Sequence, residues 1–216
     1  MLNLSSATII SRIITLLIAF TVHEFSHAFT ANSFGDDTPR AHGRLTLNPA
    51  AHLDLIGTLM LLFAGFGWAK PVPVNPYTLR RRSPAAMMLV SAAGPLSNLA
   101  LAFFAAIPLR FSLIPYVTSW PGFLPTPLQF MFDFMSINIL LLLFNLIPLA
   151  PLDGEKVLEY FLPPAGVRFL DQIRPYGPMI LLGFIFVLPM IGIDLFGIIL
   201  FPLLRTIQSI LIGVPL

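Results

Sequence analysis

The sequence predicts an all-α polytopic membrane protein with a three-helix core, a re-entrant or hairpin segment and two C-terminal spans. Hydrophobic residues make up 56% of the 216 and charged residues only 10%, against roughly 25% charged in a soluble domain. The charges are clustered, leaving Ser83–Leu109, Phe111–Phe132, Phe134–Leu152 and Pro175–Ile193 without Asp, Glu, Lys or Arg. A hydrocarbon core about 30 Å thick takes about 20 apolar residues per helix, so this length admits roughly four to six spans and no soluble domain beside them. The chain therefore reads as one integral-membrane domain, 1–216, with a core over about 6–156 and C-terminal helices over about 176–212.

The first helix is expected from about Ser6 to Ala31, and Asn32, Gly35 and Pro39 in "ANSFGDDTP" stop it. The start lacks a basic n-region and a small-residue cleavage site, so it reads as a retained helix rather than a signal peptide. In "RAHGRLTLNPAAHLD" the alternation of "RLTLN", Arg44–Asn48, predicts a short strand. Leu55–Ala69 is an apolar run of only 15 residues, about 22 Å as a helix, which is short for a crossing and predicts a segment that dips in and returns. The three prolines of "KPVPVNPY" forbid helix. After Arg80–Arg82 come a helix over Pro84–Leu109, an interfacial loop over Phe111–Pro127 and a helix over about Leu128–Leu149. Two apolar stretches, Tyr176–Leu188 and Ile193–Ile212, broken at Pro189 and Gly192, complete the chain.

Ionisable groups at bilayer depth are costly and mark function, and the first helix carries three of them in "HEFSH". His23 and His27, four residues apart, lie on one helical face about 5–6 Å apart at Cβ, which suits two imidazoles on one zinc ion. With no cysteine in the chain, any metal is held by nitrogen and oxygen. Zinc lowers the pKa of a water it holds toward about 7, and Glu24, one residue past His23, is placed to take that proton without being a ligand. A structural metal site or a buried polar network is the blander alternative. Catalytic zinc ordinarily has three protein ligands. Asp133 and Asp194 stand alone at the edges of apolar runs, whereas Asp153 follows "NLIPLAPL", where Pro148 and Pro151 deprive the carbonyls of Phe144 and Ile147 of their helical partners. Opened backbone at that depth persists only inside protein or along a water-filled cavity.

"HEFSH" together with "NLIPLAPLDG" resembles the site-2 proteases, intramembrane zinc metalloproteases, over about Ile10–Lys156. "SAAGPLSN", Ser91–Asn98, is similar to the small-residue helix that this family packs against its catalytic helices, and "GWAKPVPVNP" to its compact bacterial members without a PDZ or regulatory domain. The resemblance implies that His23, His27 and Asp153 bind Zn2+, that Glu24 is the base, and that Asn145 faces the substrate backbone. Read from its residues alone, Asn145 equally well satisfies carbonyls freed by Pro148. Gly94, Ser97 and Asn98 read as close helix packing with one interhelical hydrogen bond. His42, His52 and Asp54 read as interfacial residues, with a polar network around the site or a weak second metal site as alternatives.

The expected activity is hydrolysis of a peptide bond in or near the transmembrane segment of a single-span membrane protein, in a multi-pass protein of the cell membrane of a bacterium. The alternative is a non-proteolytic protein that binds or moves a divalent metal, but apart from Asp133 and Asp194 the apolar runs lack the ionisable path this needs. No glycine-rich phosphate loop or basic–aromatic patch points to nucleic acid. One zinc joining Asp153 to the two histidines requires their helices to run the same way. Arg40, Arg44, Lys70, Arg80–Arg82, Lys156, Arg168 and Arg174 then share the face of the site, with Arg12 and Arg110 toward the other, which makes the site's face cytoplasmic.

Overall fold

The computed structural model describes residues 5–54, 57, 60, 67–115, 117 and 120–214. The described residues are helical, with no strand among them. Helix α1 (Ser6–Ser33) opens with the Ser5 hydroxyl accepting the Thr8 N–H at 3.2 Å. Its 28 residues span about 42 Å, more than the hydrocarbon core is thick. Ala7, Ser11, Thr15, Ala19, His23, His27 and Ala31 recur every fourth residue and are all buried. This narrow stripe of small and polar side chains admits a close neighbour.

After the short helix α2 (Thr38–Ala41), Arg44–Asn48 forms bends rather than the expected strand. The reason lies in its contacts: the Arg44 side chain turns inward and donates to the carbonyls of Ala51 (2.7 Å), Lys70 (3.1 Å) and Pro71 (3.2 Å). Local alternation yields to that buried clamp. Most of Leu55–Ala69 lies outside the described residues, but its flanks are instructive. Leu53 and Ala69 form an antiparallel bridge, and the Lys70 N–H donates to the His52 carbonyl at 2.8 Å. The two flanks of the segment therefore lie side by side.

Helix α3 (Pro76–Arg82), capped by Asn75, leads into α4 (Ala86–Arg110), and α5 (Pro127–Asn145), capped by Thr126, follows. Helices α1, α4 and α5 pack on one another. Ala102, Ala105 and Ala106 of α4 meet Met135 and Ile139 of α5 in the core. Two further helices, α6 (Asp153–Phe161) and α7 (Pro164–Ile173), fill what reads in sequence as a polar connection, and α6 docks on α4. The C-terminal part comprises α8 (Gly177–Leu182), continuing to Met190, and α9 (Leu195–Ile212), with the break falling at Gly192, whose φ of +84° suits glycine. Asp194 accepts the Gly197 N–H at 2.8 Å and so caps α9. Among the described residues four helices are long and apolar enough to cross a membrane, and the protein is a multi-pass membrane protein.

Candidate active site

His23 and His27 project from the stripe of α1 toward α4, and the first residue of α6 brings Asp153 to meet them. The two Nε2 atoms are 3.0 Å apart, and Asp153 Oδ2 lies 3.2 Å from that of His23 and 3.4 Å from that of His27. Two atoms bound 2.0–2.1 Å from a tetrahedral zinc stand roughly 3.3 Å from each other, so this triangle has the edge lengths a single zinc ion imposes.

The donor chemistry agrees. His27 Nδ1 is 2.7 Å from the Val90 carbonyl oxygen, which can only accept. Nδ1 therefore carries a proton, which leaves Nε2, facing Asp153 and His23, as the nitrogen through which the ring can bind a metal. Lone pairs and a carboxylate gathered in a buried space repel one another unless a cation lies between them. Gly94 keeps that space open, since a Cβ there would fall against Nε2 of both histidines. These residues fit zinc, and His23, His27 and Asp153 form the one group of three or more His, Cys, Asp or Glu side chains that could hold a metal among the described residues.

Asp153 is carried into place by backbone as much as by its own helix. The carbonyls of Phe144 and Ile147, which lose their helical partners to Pro148 and Pro151, accept instead from Ile147 N (3.1 Å) and Leu149 N (2.8 Å). The chain thus turns tightly without leaving them bare. Gly154 lies so close to this turn that a Cβ would strike the carbonyls of Leu146 and Ile147. Behind the turn, Gly177 packs against the Ala150 carbonyl with the same intolerance of a side chain.

Glu24 is buried on α1 beside His23 and does not belong to the three-residue cluster. Asn145 closes α5 half-buried, its Nδ2 donating to the Leu141 carbonyl at 3.0 Å rather than to a carbonyl freed by proline. Ser97 bonds within its own helix, to Gly94 O at 2.7 Å. Asn98 makes two interhelical bonds where one was expected: its Oδ1 is 2.7 Å from His23 Nδ1, and its Nδ2 donates to Asn138 Oδ1 at 2.9 Å. His42 is exposed and bonds to the Thr38 carbonyl, His52 is buried against the Thr46 carbonyl, and Asp54 accepts the Gly57 N–H, so all three organise loops and none joins the metal-ligand cluster.

Sequence reasoning missed two participants. One is Asn138, an isolated polar residue in an apolar helix, a signal legible on its own terms. The other is the acid–base group that ties α6 to the C-terminal part: Glu155 takes Arg174 through Nε (2.8 Å) and Nη2 (2.5 Å), while Glu159 takes Arg174, Lys156 and Arg80. Burial opposes ionisation of Glu159, yet the hydrogen bond and charge of Lys156, with Arg174 and Arg80, hold its carboxyl below the ordinary value.

A buried His, His, Asp cluster with an adjacent glutamate, set among membrane-spanning helices, defines a membrane-bound zinc metalloprotease. The chain belongs to the site-2 protease family. It is 44% identical over 179 residues to "Putative zinc metalloprotease YwhC" of Bacillus subtilis, covering 82% of this chain and 80% of that protein. It is 34% identical over 192 residues to "Putative zinc metalloprotease Rip2" of Mycobacterium tuberculosis, covering 85% of this chain and 69% of that one. No family model and no solved structure matches the chain.

Proposed function

We propose that this metalloprotease cuts a single-span membrane protein within or near its transmembrane segment, with His23, His27 and Asp153 holding the zinc and Glu24 acting as base. The observation that carries the reading is the position of the ligand triangle. His23 lies 17 residues into α1, about 26 Å along it, inside a bundle of membrane helices and toward the end opposite the N-terminus. When bound, zinc polarises the scissile carbonyl and acidifies water. The Glu24 carboxylate takes a proton from the attacking water and delivers it to the departing amine nitrogen as the C–N bond breaks. Asn145 keeps Oδ1 available to accept from a substrate amide. Helical hydrogen bonds shield a substrate's carbonyls, so the substrate unwinds before attack, and the non-helical Lys70–Asn75 segment beside the Leu53–Ala69 bridge is suited to receive it.

Purified protein incubated with single-span substrates should cut them, lose the activity to a zinc chelator and regain it on adding zinc. Glu24→Gln should lower turnover by about 10²–10⁴-fold while keeping its zinc. Substantial turnover in that variant would remove Glu24 from the mechanism.

The distribution of Arg and Lys supports a cell membrane location with the site at the cytoplasmic boundary and the N-terminus outside. In intact cells, an impermeant thiol reagent should label a cysteine placed at position 118 and spare one at position 80. The reverse pattern inverts the arrangement.

A further inference from the structure

We propose that Asn98 and Asn138 form a hydrogen-bond relay that fixes the tautomer of His23, so that its bare Nε2 faces the zinc position. This rests on the metalloprotease reading above and adds two positioning residues to it. The relay begins at an atom whose role admits no choice. The Phe134 carbonyl oxygen only accepts, so Asn138 turns its Nδ2 toward it, at 2.8 Å. The other end of that amide is then Oδ1, and the group it meets at 2.9 Å must be a donor, Asn98 Nδ2. This orients the Asn98 amide in turn and leaves its Oδ1 facing His23 Nδ1 at 2.7 Å. An amide oxygen only accepts, so the imidazole donates from Nδ1 and carries its lone pair on Nε2. Amide orientation and imidazole tautomer are ordinarily a matter of choice. Here both follow from one backbone oxygen.

Both asparagine side chains are fully buried, so water does not compete for their amides. Turning either amide around would set donor against donor or acceptor against acceptor in a medium where unmade hydrogen bonds are expensive. His27 reaches the same state by a shorter route, donating straight to the Val90 carbonyl. The relay does for His23 what a carbonyl does for His27, and the two rings of one helix present matched nitrogens to one ion.

The test is zinc affinity, measured by chelator competition on detergent-purified protein, with thermal unfolding to establish folding. Asn138 does not touch His23, yet Asn138→Ala frees the Asn98 amide to present Nδ2 to the imidazole. The expected loss is about 10–100-fold in zinc affinity, the range for groups that support a metal ligand. A carboxylate at position 98 accepts at both oxygens and has no wrong orientation, so adding Asn98→Asp to Asn138→Ala should recover most of the loss. Affinity within twofold of wild type in Asn138→Ala, or a double variant no tighter than that single one, overturns the relay. Should Asn138→Ala fail to fold, Asn98→Asp and Asn98→Leu replace it: near-native affinity in the first with weak affinity in the second supports the relay, and equal affinities overturn it. Wild-type protein that holds no zinc overturns the metalloprotease reading as well. Tight zinc in both wild type and Asn138→Ala overturns the relay alone.

Discussion

Helix α4 and the C-terminal span Pro164–Met190 are both long and apolar enough to cross a membrane, yet 44% of an 18-residue apolar stretch of the first is buried inside the protein and only 11% of the corresponding stretch of the second. In water the more apolar helix would go inside. In a bilayer, lipid tails are as apolar as any core, so apolarity does not choose. What α4 has instead is a face of small and polar residues: Gly94, Ala102, Ala105 and Ala106 let backbones approach, and Ser91 and Asn98 are buried with them. The C-terminal span turns Met179, Leu182, Val187 and Met190 outward. Chemistry concentrates where helices approach closely, and the C-terminal part supports the site through Gly177 against the turn at Ala150 and through Arg174 on Glu155 and Glu159.

The comparison breaks most severely at the point where α4 comes nearest to the histidines. Gly94→Ala puts a methyl group against both Nε2 atoms, so zinc affinity should fall by at least about 100-fold and proteolysis with it. Metal content of the folded variant checks this, and full zinc occupancy would mean that the histidines are free to move away.

A smaller effect is expected where the two regions join. Arg174→Met leaves the buried Glu155 with only Lys156, at 3.3 Å. Removing one partner of a buried ion pair costs about 3–5 kcal/mol. Arg174 is more than a third exposed and solvent screens the pair, so a loss of about 1–2 kcal/mol is expected. Thermal unfolding should report it, with a severalfold drop in activity because α6 begins at Asp153. Adding Glu155→Gln should restore part of the stability, and a further loss would show that Glu155 has another role.

The smallest effect belongs to the lipid-facing surface. Ile198→Ala and Phe201→Ala on α9, at side chains that are exposed in the structure, should each change stability by less than about 0.5 kcal/mol, since one apolar contact with lipid replaces another. A loss of 2 kcal/mol or more would reveal that this face is covered by protein.

Much of this architecture was legible because it is local. Of the four long helices, α4 shows as a charge-free run and α5 as one interrupted by Asp133, and the C-terminal break shows at Pro189 and Gly192. The strand expected at Arg44–Asn48 failed for the opposite reason: two residues of alternation on either side of Thr46 weigh less than an Arg44 side chain that must satisfy three carbonyls from outside the segment. The stretch after Asp153 read as a polar connection because Glu155, Lys156, Glu159, Arg168, Asp171 and Arg174 interrupt its apolar residues, so its two helices went unseen.

By itself the sequence determined that the protein lives in a bilayer, that His23 and His27 share a helix face, and that Asp153 follows a proline-opened turn, for these depend on composition and on periods of a few residues. Tertiary structure alone decided that Gly94 leaves the space between the rings, that Arg174 holds Glu155, and that Asn138 reaches His23 through Asn98. Those pairs are separated by tens of residues. No local period encodes them, and in a membrane hydrophobicity does not select partners either, so helices must first pack before the polar groups find one another.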